Sequence, residues 1–325
     1  MTSAGFEVEP LQPFRLDLTA LALHRRRNNR IDLWDGTTLR RVLPASASGG
    51  AVDTPFLLDV TRAEPASTRD RLICVTATGS AGRNALEAAG RRAVRDLLST
   101  DLDLSAFYAM AATDARLAPL AKRMEGLKPP RYPGLFEGLL NAIPCQQMTL
   151  SFGLQLVERL ARRFGSTAFE SGGNGPLGLP SPESLAVADA DTIGAMGFSR
   201  TKARALIELA REVVAGNLDL EALAELPDAE VQRRLSSLYG VGRWTSEYVL
   251  LRALGRLNVF PDGDSGARNG LARFLGEAGK PSYEWVAERV APWAPYSGFV
   301  YLHLLVDGLT RADPGGELHG PLGSS

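Results

Sequence analysis

Apolar and polar residues alternate in short runs along the first hundred residues, which is the period of half-buried β-strands. The strands predicted from this pattern cover residues 14–22, 30–33, 38–42, 56–61 and 72–77. Asp35 and Gly36, between the second and third of them, are typical of a tight hairpin turn. Residues 85–98 then change to helical spacing, so this part of the chain predicts a small α+β domain with an antiparallel sheet and a helix.

From residue 101 onward, apolar residues recur every three to four positions, as they do on one face of a helix. The helices predicted here cover residues 105–110, 116–123, 135–164, 182–188, 192–196, 199–215, 228–238, 243–254, 265–275, 283–290 and 296–309. The predicted fold class is therefore mixed, with an N-terminal α+β domain at residues 1–100 and an all-α region at residues 101–311. Residues 312–325 are polar and glycine-rich, which predicts a flexible tail.

Composition narrows the classes of protein that this chain can belong to. Its 325 residues, 45% of them hydrophobic, suffice for two or three packed domains. The chain has no run of eighteen apolar residues and no export signal, so we expect a cytoplasmic protein without a membrane span. Two cysteines and three widely separated histidines support neither a disulfide framework nor a metal cluster, so no cofactor is expected to be required.

The formal net charge of −1 neither supports nor excludes a nucleic-acid partner. The densest basic cluster is the run Arg25, Arg26 and Arg27, with Arg30 close by. Because such runs usually form a solvated turn or strand face, we expect these arginines to be exposed rather than to contact DNA.

Residues 238–245 end one helix, turn at Gly240 and Gly242, and begin a second helix at once. Glycine permits a sharp turn and a close approach to a ligand. Free amides at the start of the second helix, around Val241 to Trp244, carry the positive end of the helix dipole and suit a phosphate of a nucleic-acid backbone. A lone Gly-x-Gly between helices often forms only an ordinary turn, so this motif needs a second signal.

Residues 259–268 supply that signal, because they form an acidic loop that leads into another helix. A phosphate-binding hairpin, a connecting helix and a carboxylate in the next helix's first turn together resemble the helix-hairpin-helix DNA glycosylase superfamily, in particular its 3-methyladenine DNA glycosylase II, or AlkA-type, family. Residues 136–149, a helix ending in a glutamine pair, and residues 196–203, a Gly-x-x-x-x-Lys-Ala turn, are similar to further motifs of that family. The resemblance covers residues 101–309 and, more weakly, the preceding sheet.

The resemblance implies a monofunctional DNA glycosylase that hydrolyses the N-glycosidic bond of alkylated bases flipped out of duplex DNA. It places the catalytic carboxylate at Asp264, with Asp262 as the less favoured candidate, and Asp264 is expected to cap its helix as well. A carboxylate beside C1′ stabilises the positive charge that develops on the sugar. The resemblance also implies two helical subdomains, one at residues 129–250 and the other formed by residues 101–128 and 251–311.

Bifunctional members of the superfamily carry a hairpin lysine whose amine attacks the sugar and leads to strand cleavage. The matching residue of this chain is Trp244. The four lysines of the chain lie outside the hairpin and the acidic loop: Lys122, Lys128, Lys202 and Lys280. The resemblance therefore implies base excision without lyase activity.

Trp244 and Tyr248 lie four residues apart on the second hairpin helix and therefore share a face. Two such rings can stack an extruded base and attract a cationic methylpurine, although such a pair serves as often in core packing. Gln146 is a further candidate for the substrate pocket. Gln147 matches the family's wedge position, where the AlkA type has a leucine. Core packing is also predicted for the aromatic residues of the closing helices, with a place in the pocket open only to those that face Asp264: Trp285, Trp293, Tyr296 and Tyr301.

The partner implied by the resemblance is double-stranded DNA that contains damaged bases, bound by a monomer. The candidate DNA contacts are Gln147 and the hairpin residues Gly240, Val241, Gly242, Arg243 and Thr245. The resemblance also implies an ion, Na⁺, K⁺ or Mg²⁺, held by backbone carbonyls near Ser236, Leu238 and Val241. Carbonyl sites leave no side-chain signature in a sequence.

Two other interpretations stay open. The first is excision of oxidised, deaminated or mismatched bases within the same superfamily, against which the missing hairpin lysine and the missing cysteines argue. The second is a non-catalytic helix-hairpin-helix module that binds DNA in a repair complex, which the acidic residue at position 264 disfavours. The preferred lesion depends on the shape of the pocket and does not follow from the motifs.

Overall fold

The computed structural model describes residues 1–63, 71–170, 173–279 and 281–312. In these ranges a five-stranded sheet precedes a helical region, which confirms the predicted mixed fold class. Of the predicted tail, Ala312 still belongs to the last helix, and the remainder lies outside the described residues. Within these ranges no helix combines the length and the apolar character that crossing a bilayer requires.

The sheet has the spatial order β1-β5-β4-β3-β2, and every neighbouring pair of strands is antiparallel. The predicted hairpin turn is confirmed, since Asp35 accepts the backbone amides of Thr37 at 2.9 Å and Thr38 at 2.8 Å. The first strand was not predicted, because only Ala4 among its residues is fully buried and its apolar alternation is weak. The strands are β1 (Thr2–Val8), β2 (Leu33–Trp34), β3 (Thr38–Leu43), β4 (Phe56–Arg62) and β5 (Ile73–Gly79).

Helix α1 (Leu16–His24) occupies the place of the strand predicted at residues 14–22, and that prediction was wrong. Every residue of this helix except Asp17 is buried, and its faces pack into two different hydrophobic cores. A helix that is buried on all sides has no polar face. Its sequence therefore lacks the period that would have distinguished it from a strand.

The remaining predicted helices are present within a few residues of their predicted ends, with one correction and one omission. The helix predicted at residues 135–164 is two helices, because the chain leaves the helix at Gln146 and Gln147 adopts a φ of 53°. The five-residue helix α10 was not predicted. The helices are α2 (Arg83–Leu98), α3 (Ser105–Thr113), α4 (Leu117–Arg123), α5 (Leu135–Cys145), α6 (Leu150–Phe164), α7 (Pro182–Ala186), α8 (Ala190–Ala195), α9 (Arg200–Val214), α10 (Leu220–Ala224), α11 (Asp228–Ser237), α12 (Arg243–Arg252), α13 (Ser265–Leu275), α14 (Tyr283–Val290) and α15 (Ser297–Ala312).

Two large hydrophobic cores hold these elements together. The larger joins the sheet and α2 to helices α5–α12, and Phe56, Leu139 and Val249 are among its fully buried members. The smaller joins α1, α3 and α4 to helices α13–α15 around Phe107 and Phe299, whose ring centroids lie 4.6 Å apart. Both cores contribute residues to the cavity described below.

Arg41 connects the sheet to the helical region through buried ion pairs. Its guanidinium, on β3, is completely buried and forms ion pairs with Asp32 and with Glu137 on α5. Burial lowers the pKa of Arg41 to about 10, which still leaves the side chain charged at neutral pH. Because a buried charge is costly unless it is paired, these contacts fix the position of β3 against α5.

Candidate active site

The predicted hairpin is present between α11 and α12. Gly240 has a φ of 74°, and a Cβ at this position would lie 2.7 Å from Ala205 on α9, so both the turn and the packing require glycine. Gly242, which precedes α12, offers no side chain to cap the helix, and this leaves first-turn amides for an anion. The amide of Val241 is not one of them, contrary to the prediction, because it donates to the carbonyl of Leu238 at 3.1 Å and closes the turn.

Gln146 and Lys202 tie helix α5 to the hairpin. The side-chain amide of Gln146 donates to the carbonyl of Gly240 at 2.8 Å and to the hydroxyl of Thr245 at 2.9 Å. The buried ammonium of Lys202, on α9, donates to the carbonyls of Pro144 at 2.9 Å and Gln146 at 2.7 Å. The glutamine pair and the Lys-Ala turn of the sequence are therefore in direct contact, and they brace the hairpin together.

The side chains of two predicted DNA-contact residues are already hydrogen-bonded to other groups of the protein. Thr245 is 1% exposed and its hydroxyl accepts the hydrogen bond from Gln146, so a DNA contact from this residue would have to use its backbone amide. The guanidinium of Arg243 is half-exposed, but it donates to Glu247 at 2.6 Å and to Asp262 at 2.7 Å. A phosphate that approaches Arg243 would therefore compete with two carboxylates.

Asp264 precedes α13 and caps that helix. Its Oδ1 accepts the amides of Gly266 at 2.6 Å and Ala267 at 3.2 Å, as expected for an N-cap aspartate. Its Oδ2 accepts the indole Nε1–H of Trp244 at 3.2 Å, so the second oxygen faces the hairpin helix. A Cβ at Gly263 would lie 2.8 Å from Trp244, so only glycine lets the acidic loop approach the hairpin this closely.

Glu247 holds the acidic loop against α12, a role that the sequence did not reveal. One of its oxygens accepts the amide of Gly263 at 2.9 Å, and the other accepts Nε of Arg243 at 2.6 Å. Burial raises the pKa of Glu247 to about 7, although both hydrogen bonds act in the opposite direction. In the sequence, Glu247 is simply the residue four positions after Arg243, and such ion pairs are common on solvated helix faces.

A cavity of about 1390 Å³ lies beside Asp264 and brings most of the predicted site residues together. The predicted residues that line it are Gln146, Gln147, Gly240, Gly242, Arg243, Trp244, Thr245, Tyr248 and Asp264. Ser236, Leu238 and Val241, the predicted ion ligands, do not line it. The carbonyl of Leu238 accepts the amide of Val241, and a carbonyl oxygen has a second lone pair for another partner. An ion at the hairpin therefore stays a prediction.

Trp244 and Tyr248 form an aromatic wall of this cavity. Their ring centroids lie 5.6 Å apart and their planes differ by 30°, as expected for residues that share a helix face. Tyr301 on α15 also lines the cavity, in addition to the core packing that its spacing predicted. Burial and the negative charge of Asp264 raise the pKa of Tyr301, so its hydroxyl stays neutral. Such a wall can stack a planar ring.

Arg25 is the largest departure from the sequence prediction, which placed its side chain in solvent. The residue is 5% exposed and lines the cavity, and its Nη1 donates to the hydroxyl of Tyr248 at 2.8 Å. Tyr248 also shares a hydrogen bond of 2.9 Å with the hydroxyl of Tyr132. The run of three arginines gave no sign of this, because only the packing of α1 between the two cores brings its end to the cavity.

Gln147 is exposed at the edge of the cavity. Its φ of 53° belongs to the left-handed region, which residues with a side chain rarely adopt. Backbone strain of this kind is frequent at binding sites. The position suits a side chain that fills the gap left by an extruded base, and the wedge role of Gln147 stays a prediction.

The chain is similar in sequence and in fold to known DNA repair proteins. The model of the HhH-GPD superfamily, described as base excision DNA repair proteins, matches residues 140–295. The matched range includes the glutamine pair, the hairpin and the acidic loop. A solved structure, the 3-methyladenine DNA-glycosylase from Archaeoglobus fulgidus, superposes with a TM-score of 0.77 at 26% identity, and the match covers 93% of this chain and 97% of that one.

Two curated relatives are similar over about half of the chain. DNA-3-methyladenine glycosylase 1 of Schizosaccharomyces pombe is 31% identical over 163 residues, which are 50% of this chain and 67% of that protein. YfjP of Bacillus subtilis, provisionally named a DNA-3-methyladenine glycosylase, is 31% identical over 170 residues, or 52% of this chain. The chain spans 58% of the length of YfjP.

Proposed function

The chain belongs to the HhH-GPD superfamily of base excision DNA repair proteins, and on that premise we propose that it is a DNA glycosylase that removes alkylated bases from duplex DNA. The names of its relatives support this substrate class, since all those described above are named, one of them provisionally, as 3-methyladenine DNA glycosylases. The cavity supports it independently, because electron-rich rings attract a cationic base such as a methylated purine.

The observation that carries the proposal is the contact between Asp264 and Trp244. A carboxylate oxygen lies 3.2 Å from the indole nitrogen at the wall of an aromatic cavity, next to a hairpin whose helix start suits phosphate. A base stacked on Trp244 and Tyr248 would thus have its glycosidic bond near a negative charge. An ordinary helix cap would need neither the cavity nor the second hydrogen bond.

The chemistry proposed for Asp264 is stabilisation of the charged sugar. As the C1′–N bond breaks, its electron pair leaves with the base, and positive charge develops on C1′ and the ring oxygen. The Asp264 carboxylate stabilises that charge, and water adds to C1′ while its proton passes to solvent or to the carboxylate. A methylated purine departs as a neutral base, because it carried its positive charge before cleavage.

Absence of lyase activity is part of the proposal. Trp244 stands where bifunctional relatives carry the attacking lysine, and among the described residues no lysine lines the cavity. The ammonium of Lys202 donates to two backbone carbonyls, and that of Lys128 donates to the carbonyl of Leu102. The reaction should therefore leave an abasic site with an unbroken strand.

The test measures release of free bases from methylated duplex DNA by the native protein and by Asp264→Asn. Asparagine also caps helices well, so this variant should fold and bind DNA. The matched control is Asp189→Asn, which changes the N-cap aspartate that precedes α8, outside the cavity. We expect the native protein and Asp189→Asn to release methylpurines, with strand breaks only after alkali, and Asp264→Asn to lose at least about a hundredfold in rate.

Native protein that binds damaged DNA but releases no base would favour the non-catalytic DNA-binding module instead. Strand breaks without alkali, together with a covalent adduct trapped by borohydride, would show a Schiff base and contradict the monofunctional part of the proposal. Equal loss of release in both aspartate variants would show that the caps matter for folding and that Asp264 has no special role.

A further inference from the structure

Arg25 presents a cation at the cavity that the proposed chemistry does not use. Its Nη1 donates to the hydroxyl of Tyr248 at 2.8 Å and its Nε donates weakly to the carbonyl of Leu23 at 3.4 Å. Its Nη2 is buried and has no hydrogen-bond partner among the described residues. An unsatisfied donor on a charged group is costly, so this nitrogen should gain from an acceptor supplied by a ligand.

The contacts of four residues define a direction along the cavity. Asp264 accepts a hydrogen bond from Trp244 at 3.2 Å, Trp244 stacks on Tyr248 at 5.6 Å, and Tyr248 accepts a hydrogen bond from Arg25. A base whose C1′ lies at Asp264 and whose ring stacks on this aromatic pair extends toward Arg25. The edge of the base that reaches Arg25 is therefore the edge opposite its glycosidic bond. In a purine joined through N9, that edge carries the substituent on C6.

A guanidinium discriminates between the groups that this edge can carry. It has five N–H donors and no acceptor, so it pairs with a carbonyl oxygen and leaves an amino group without a partner. Sites with a buried polar group reject ligands that cannot pair with it, often strongly. Arg25 forms no ion pair with any described residue, whereas the neighbouring Arg41 has two carboxylate partners. Its donors are therefore not already held by an acid.

We propose that Arg25 is a specificity-determining residue, which selects bases with a carbonyl oxygen opposite the glycosidic bond, such as 6-oxopurines, over bases with an amino group there. This inference rests on the proposed glycosylase function and names the substrate class of the same site. The aromatic wall stacks both kinds of base, and Arg25 distinguishes between their edges.

Methylated duplex DNA contains two substrates that test whether Arg25 distinguishes a carbonyl from an amino group. N7-methylguanine has a carbonyl and N3-methyladenine an amino group on C6, and both carry a positive charge in DNA. The rates of release of the two bases are measured in one digest for the native protein, Arg25→Met, Arg25→Lys and Tyr248→Phe. The ratio of the two rates is the readout, because it does not depend on how much enzyme is active.

We expect Arg25→Met to lower the ratio of N7-methylguanine to N3-methyladenine release by about tenfold or more. Arg25→Lys keeps donors and should retain more of the ratio than Arg25→Met. Tyr248→Phe removes one acceptor of Arg25 but keeps both the aromatic ring and the guanidinium, so it should preserve the ratio even if both rates fall.

A fall of both rates by the same factor in Arg25→Met would overturn the inference, since Arg25 would then act only by positioning Tyr248. A ratio that Tyr248→Phe lowers as much as Arg25→Met would overturn it as well. Native protein that releases neither base would instead refute the proposed function. Should Arg25→Met fail to fold, Arg25→Lys and Tyr248→Phe still test the inference. Direct recognition by Arg25 is contradicted if the lysine variant leaves the ratio of N7-methylguanine to N3-methyladenine release unchanged while the phenylalanine variant lowers it.

Discussion

Glu247 accepts the backbone amide of Gly263 at 2.9 Å, and this hydrogen bond is one of those that join the second hairpin helix to the loop that carries Asp264. The same glutamate accepts a hydrogen bond from Arg243, which also pairs with Asp262. The position of the carboxylate in the cavity therefore depends on a buried acid whose pKa is raised to about 7.

The raised pKa of Glu247 predicts a pH-dependent contribution to stability. The pKa in the folded state lies above the ordinary 4.5, so the folded state binds this proton more tightly than the unfolded state does. The contribution is fully present below about pH 4.5 and is lost as pH rises through about 7. We therefore expect the free energy of unfolding of the native protein, minus that of Glu247→Gln, to fall between pH 5 and pH 8.

Urea unfolding of both proteins at several pH values measures this difference. Burial lowers the pKa of His303 to about 4, so its contribution changes in the opposite direction below about pH 6.5. That contribution is common to both proteins and cancels in the difference. A difference that stays constant from pH 5 to pH 8 would show that Glu247 does not titrate in this range.

Trp244→Phe should slow base release while leaving stacking in place. The variant keeps an aromatic ring next to Tyr248 but removes the N–H that donates to Asp264. Hydrogen bonds to charged groups contribute about 1.5–3 kcal/mol, so we expect a loss of about tenfold or more in the single-turnover rate. Trp285→Phe is the matched control, because that indole donates to Glu277 at 2.9 Å outside the cavity. Equal rates for both variants would contradict a role of the indole N–H in holding the carboxylate.

Lys202→Met should destabilise the fold and loosen the hairpin. The change leaves the buried carbonyl of Pro144 and the partly buried carbonyl of Gln146 without their ammonium donor. An unsatisfied buried acceptor costs about 1–3 kcal/mol, which should appear as a lower free energy of unfolding in urea. Lys122→Met changes an exposed lysine on α4 and should differ from the native protein by less than about 0.5 kcal/mol. A DNA affinity unaltered by Lys202→Met would show that the hydrogen bonds of Lys202 do not affect the hairpin.

Arg41→Met should be the most destabilising of these changes. Without the guanidinium, the carboxylates of Asp32 and Glu137 are left buried and uncompensated between the sheet and α5. Removing one partner of a buried ion pair costs about 3–5 kcal/mol. Arg40→Met, on the same strand, removes a half-exposed arginine whose ion pairs are worth less than about 1 kcal/mol. Thermal or urea unfolding measures the stability of Arg41→Met and of Arg40→Met. Similar midpoints for the two variants would refute the role of Arg41 in holding the sheet against α5.

The sequence by itself determined the elements that have a regular period and the motifs that have a fixed spacing. The helices on either side of the hairpin, the cap at Asp264 and the shared face of Trp244 and Tyr248 all follow from residues close to one another in the chain. Local sequence suffices for them because helix geometry fixes which residues three or four positions apart become neighbours.

Only the tertiary structure decided which distant side chains meet at the site. Helix α1 forms because two cores bury it from both sides, and its burial carries Arg25 to Tyr248, 223 residues further along the chain. Glu247 and Tyr301 likewise gain their roles from partners on other elements. A buried side chain owes its charge and its contacts to everything packed around it, and neighbours that are distant in sequence leave no periodic signal in the residue's own segment.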